Sequence, residues 1–130
     1  MTLATLIHVF VYGTLKPGHH NYRVATMAGQ HQHQPAELSG FTLHTLGQFP
    51  GIKRADPWDT VKGTVLTYQD IDRALPVLDR LEGVSWGMYT RERVSVQLPD
   101  GTALQCWTYV YGNPSALNAE NLIETGEWTK

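Results

Sequence analysis

Residues 91–111 read RERVSVQLPDGTALQCWTYVY, and this stretch decides the fold class. Two runs rich in β-branched and aromatic residues, 91–98 and 103–111, flank Pro99-Asp-Gly-Thr102, the composition of a hairpin turn. The same chemistry recurs outward along the chain. Residues 6–12 (LIHVFVY) form an apolar run that stops at Gly13, as a buried strand does, and residues 61–68 (VKGTVLTY) read as another strand. Residues 37–46 (ELSGFTLHTL) alternate well enough for a strand with Gly40 as a bulge. Strands outnumber helices and no strand–helix–strand alternation appears. The fold class is therefore α+β: a small, mixed, β-barrel-like curved sheet with one or two short helices packed on it.

The connecting segments carry the helices and turns. Residues 14–21 (TLKPGHHN) are turn chemistry, and residues 22–28 suit one or two helical turns with Asn21 as N-cap. Residues 30–34 (QHQHQ) are polar and expected at the surface. Residues 48–59 carry Pro50-Gly51 and Pro57 and read as a long irregular loop; residues 116–128 suit a short helix ending near Gly126. In residues 70–83 (DIDRALPVLDRLEG), Ile71, Leu75, Leu78 and Leu81 follow helical spacing, Asp70 is the N-cap and Gly83 the stop. Pro76 lacks an N–H and crowds the preceding turn, which predicts a helix broken there.

Composition narrows the function classes. The 130 residues fit one domain, 1–130, and 42% apolar with 17% charged residues is ordinary for a globular chain. A net charge of −2 with scattered Lys and Arg argues against a nucleic-acid partner. The lone Cys106 forbids an internal disulfide and fits a reducing compartment. The N-terminus lacks a basic leader, and no segment approaches the roughly 20 apolar residues of a membrane helix. The expected location is cytoplasmic, with no membrane partner. The oligomeric state is unknown at this level.

Two features point to chemistry. Glu82 lies four residues after Leu78, so both point the same way from a helix whose apolar stripe must face the core. Asp79 and Arg80 take the outer positions. A partly buried carboxylate holds its proton more tightly, which is how a Glu takes and gives a proton near neutral pH. The alternative is a helix-end Glu that bends into solvent or pairs with Arg91 or Arg93. The second feature is the turn Tyr12-Gly13-Thr14-Leu15, where glycine permits close backbone approach and successive N–H groups converge on an anion. An ordinary strand-to-turn junction reads the same.

His19-His20 and His31-x-His33 have no carboxylate or Cys at ligand spacing, so no metal is expected. Cys106 reads as a structural thiol, and Trp58, Trp86, Trp107 and Trp128 as core or pocket lining.

Taken together, the segments resemble the γ-glutamyl cyclotransferase-like family, with its AIG2-like and γ-glutamylamine cyclotransferase branches. The resemblance runs through residues 11–18 (VYGTLKPG) with Asn21, Phe49-Pro-Gly51, residues 61–64 (VKGT), and most tellingly residues 78–83 (LDRLEG) followed by Tyr89 and Arg91. It ends at residues 107–111 and Gly126-Glu-Trp128. It implies a compact barrel with a cavity, no cofactor, and a small-molecule γ-glutamyl substrate. It also implies Glu82 as the catalytic acid/base and Tyr12, Gly13, Thr14 and Leu15 as substrate-binding. Tyr89 either points its hydroxyl into the pocket or is an ordinary cross-strand aromatic. Arg91 either meets the substrate carboxylate or sits on a strand face, and Asn21 either braces the loop or caps the helix. Residues 48–59 and 84–88 are the expected leaving-group side. The competing reading is a catalytically silent small-molecule-binding domain on the same scaffold; a third is an amide hydrolase in which Glu82 activates water.

Overall fold

Alternation along each strand sorts the side chains into two sets, and the two sets build two cores. The computed structural model describes residues 6–129; the first five residues, read above for a leader, and Lys130 lie outside it. The elements in chain order are β1 (His8–Val11), α1 (Tyr22–Met27), β2 (His31–Ser39), β3 (Phe41–Thr45), β4 (Pro50–Arg54), β5 (Thr60–Tyr68), α2 (Ile71–Leu81), β6 (Tyr89–Gln97) and β7 (Ala103–Tyr111). Five strands close into a mixed barrel in the order β1-β5-β2-β6-β7, and β3 and β4 form a separate two-stranded sheet. The expected α+β barrel is the observed architecture.

Inside the barrel lie Phe10, Val61, Val65, Leu38, Val94, Val96, Cys106 and Val110. Their neighbours one residue away, Val9, Val11, Leu66 and Tyr109, join Tyr68, Ala25, Ile71, Ala74 and Leu78 in a second core beneath the helices. Burial pushes the Cys106 thiol up to about 12, as befits a packing residue. The β2–β5 ladder runs from His31↔Tyr68 to Ser39↔Thr60, and the β6–β7 hairpin from Tyr89↔Tyr111 to Gln97↔Ala103. Closure is thin at two seams. β1 meets β7 in parallel at Val9↔Trp107 alone, and β2 meets β6 at Glu37↔Gln97 alone.

Residues 31–34 form the first half of β2, and Gln32, His33 and Gln34 are exposed as expected. Several other expectations are corrected. Gly40 is no bulge within one strand: at φ 87° it ends β2, and β3 leaves the barrel to pair with β4. Residues 48–59 are therefore not all loop, because β4 lies within them. The tail from residue 116 to 128 holds no helix; a 3-10 turn precedes it at Pro114–Ala116, Leu122 bridges to His44, and Gly126 O accepts the Lys62 N–H at 2.7 Å.

Helix α2 is continuous through Pro76. That residue sits on the exposed face, where the carbonyl it leaves without a helical donor meets water. Asp70 caps as expected, its Oδ1 accepting the Arg73 N–H at 3.2 Å, and Gly83 follows the helix in the left-handed conformation at φ 64°. Ile71, Ala74 and Leu78 are the buried face; Leu81 is exposed. Trp128 is core, but Trp58 and Trp86 are 77% and 72% exposed and belong to neither core.

Candidate active site

The β1–β7 seam is where the second core opens. Beyond Val9↔Trp107 the two strands are joined by side chains: Thr108 Oγ1 donates to Phe10 O at 2.9 Å, and the Tyr12 hydroxyl donates to Tyr109 O at 2.5 Å. A cavity of about 110 Å³ lies in the gap, lined by Phe10 to Leu15 from β1 and its following turn, Phe49 and Pro50 from the β3–β4 side, Leu81 and Glu82 from the end of α2, and Met88, Tyr89 and Tyr109.

The turn after β1 is held by its own carbonyls. Gly13 O accepts from Lys16 N–H at 3.1 Å, Thr14 O accepts from Asn21 N–H at 2.9 Å, and the Asn21 side-chain Nδ2 donates to Thr14 Oγ1 at 3.0 Å. Asn21 thus braces the turn and makes no side-chain capping bond to α1, against the expectation of a cap. The N–H groups of Gly13, Thr14 and Leu15 donate to no carbonyl among the described residues. Gly13 is required by packing: a Cβ there would lie 2.7 Å from Cγ of Pro50. The Pro50 carbonyl in turn accepts the Tyr89 hydroxyl at 2.5 Å. Tyr89 is therefore a buried pocket wall whose hydroxyl is committed to β4, and its ring also meets Tyr111 edge-on.

Glu82 occupies the C-cap of α2. The residue is half-buried, yet the protein packed around its carboxyl is dense enough to push its pKa up to about 7, burial being the cause. Among the described residues no cation pairs with it. Arg91 is taken elsewhere: its Nε donates to Asp79 Oδ1 at 3.0 Å, and its guanidinium lies over the Trp107 ring at 4.5 Å. Asp79 also accepts the Tyr109 hydroxyl at 2.8 Å. Asp79 is thus not an outer residue as expected; it faces the β6–β7 wall. Burial pushes the Tyr12, Tyr89 and Tyr109 hydroxyls well up, with Glu82 adding to each, so all three stay neutral donors at physiological pH.

The structure therefore brings Tyr12, Gly13, Thr14, Leu15, Glu82 and Tyr89 around one cavity. It adds Tyr109, Asn21, Phe49, Pro50 and Met88; of the leaving-group segments only these last three contribute, while Trp86 stands outside with its ring against Gly83. Tyr109 was the miss. Its signal was the register of the hairpin, which sets a Tyr-x-Tyr opposite Tyr89-x-Arg91 on one face. His44 is buried and bonded to Asn118 O and to Asn121 Oδ1. No group of three or more His, Cys, Asp or Glu among the described residues is placed to hold a metal, and no described helix is long and apolar enough to cross a membrane.

Comparison with known proteins bears on this arrangement. Residues 9–130 match the family model described as gamma-glutamyl cyclotransferase, AIG2-like. The chain is 32% identical over 123 residues to a Vibrio cholerae serotype O1 protein named as a candidate gamma-glutamylcyclotransferase, covering 92% of this chain and 93% of that one. Among solved structures, an AIG2-like protein from Mus musculus superposes with a TM-score of 0.75 at 24% identity, over 97% of this chain and 90% of the other. A structure named gamma-glutamyl cyclotransferase matches at 25% identity and a TM-score of 0.67, over 82% of this chain and 67% of the other.

Proposed function

The chain belongs to the AIG2-like gamma-glutamyl cyclotransferase family, and from that membership we propose that it releases 5-oxoproline and a free amine from a γ-glutamyl amine or γ-glutamyl amino acid. One observation carries the reading: a carboxyl that burial pushes up to about 7, with no counter-ion among the described residues, shares a small cavity with a turn whose backbone N–H groups donate to no described carbonyl.

The nucleophile is part of the substrate. The α-amine attacks the γ-carbonyl carbon, a C–N bond closes the five-membered ring, and the original γ C–N bond breaks. The attacking nitrogen starts as an ammonium and keeps one hydrogen in the lactam, so two protons leave it, and both end on the departing amine, which leaves as an ammonium. Glu82 in its ionised form carries them one at a time, and a pKa near ambient pH suits it to both directions of transfer. The N–H groups of Gly13, Thr14 and Leu15 bind the negative end of the substrate or the oxyanion. The enclosing wall of Tyr12, Tyr89 and Tyr109 folds the glutamyl chain back on itself, an orientation effect. Ionised Glu82 is the active form, so kcat/KM rises with pH through about 7.

The test is a panel of γ-glutamyl compounds incubated with purified protein and read by mass spectrometry. 5-Oxoproline release by the wild type, with at least a hundredfold loss in a folded Glu82→Gln variant, supports the reading. Free glutamate as product would replace it with hydrolysis, and binding without turnover would replace it with a silent binding domain.

A further inference from the structure

Helix α2 presents two carboxylates toward the same wall, three residues apart, and they are treated oppositely. Glu82 pairs with no cation among the described residues. Asp79, at the i−3 position where side chains are neighbours, holds the Arg91 guanidinium at 3.0 Å, in a pair only about a quarter exposed on each side. The register Arg91↔Tyr109 places both of its donors opposite each other on β6 and β7, so Asp79 accepts Arg91 and the Tyr109 hydroxyl together. The ring of Trp107 supports the guanidinium from its far side.

We propose that Asp79 is a positioning residue that sequesters Arg91 and so keeps Glu82 free of a counter-ion. The proposal rests on Glu82 being the acid/base. The ionisable side chains that share the cavity with Glu82 are Tyr12 from the turn after β1, Tyr89 from β6 and Tyr109 from β7; β4 contributes only Pro50. The tyrosines stay neutral, and among the described residues the Asp79–Arg91 pair is the charge in hydrogen-bond contact with this wall, through the Tyr109 hydroxyl. Intact, the pair contributes nearly nothing. Without Asp79, the positive charge of Arg91 acts on Glu82 and favours its ionised form. Without Arg91, the negative charge of Asp79 acts and favours the protonated form.

The experiment follows the Glu82 carboxyl directly by NMR titration of protein labelled with 13C at glutamate Cδ, the resonance being assigned by its loss in Glu82→Gln. Asp79→Asn, which keeps an acceptor for Tyr109, lowers the midpoint by about one pH unit. Arg91→Met raises it by about one unit, and the double variant returns it to near the wild-type value. The limb of kcat/KM against pH shifts in the same directions. Midpoints that stay put, or that move the same way in both single variants, overturn the proposal, since a packing role changes rate and stability without reversing sign. If Asp79→Asn does not fold, Arg91→Met decides by its upward shift or the lack of one. Retained turnover in Glu82→Gln would end the acid/base reading while leaving these midpoints to be measured, so the two claims fail separately.

Discussion

The barrel has two weak seams, and each has a cavity beside it. At the β2–β6 seam, beyond Glu37↔Gln97, lies the larger one, about 560 Å³, edged by Lys16, Glu37, Lys62 and Glu127. At the β1–β7 seam the cavity is about 110 Å³, with one ionisable carboxyl among apolar and tyrosine side chains. By volume the first would be chosen. It has charges of both signs at an open rim, and the buried one, Lys16, already donates to Trp128 O at 2.7 Å. The second is closed by the end of α2, and there burial pushes a single carboxyl up to about 7. The contrast teaches that chemistry follows the isolation of a charge from water and from partners, not the space around it.

The contrast breaks most completely if α2 is loosened from the seam. Leu78 is fully buried against the β1–β7 side, and Leu78→Ala is expected to cost about 3–4 kcal/mol in denaturant unfolding, with the Glu82 midpoint falling as water enters. Next comes the stability cost of the isolation itself. Glu82 has a raised folded-state pKa, so its stabilising contribution is full below about 4.5 and is lost as pH rises through about 7. Glu82→Gln should therefore unfold at higher denaturant than wild type at pH 8, by about 3 kcal/mol, with little difference at pH 4. The turn gives a smaller effect. Gly13→Ala forces a methyl against the Pro50 ring, displacing the loop, and is expected to lower kcat/KM about tenfold, a loss of about 1.4 kcal/mol of transition-state stabilisation. The smallest effect tests the other seam: Lys62→Met, on its exposed rim, should leave turnover within about twofold and stability within about 0.5 kcal/mol.

How far the sequence could be read depended on how local each cause was. The β6–β7 hairpin was legible to within two residues because its turn and its strands lie side by side in the chain. Strand β4 was not, since Pro50-Gly51 hides a segment that becomes a strand only by pairing with β3. Pro76 misled because a proline on a solvated helix face removes one bond whose acceptor water can satisfy. Glu82 was legible from its spacing to Leu78, but its lack of a partner was not. That depends on where Asp79 and Arg91 face, and Asp79 reaches Tyr109 across 30 residues of sequence. Asn21 and the two exposed tryptophans failed likewise, their residue type being a guide to preference and not to place.

The bond from the Tyr12 hydroxyl to the Tyr109 carbonyl spans 97 residues and helps complete a seam that has only one backbone pair. Such a contact forms after the ladders on either side have brought its ends together, because closing so long a loop first is entropically unfavourable. The candidate site is thus completed by the same contact that seals the barrel. A nascent chain lacking its seventh strand has every residue of the turn and of the second helix, but not the wall that Tyr109 adds to the cavity.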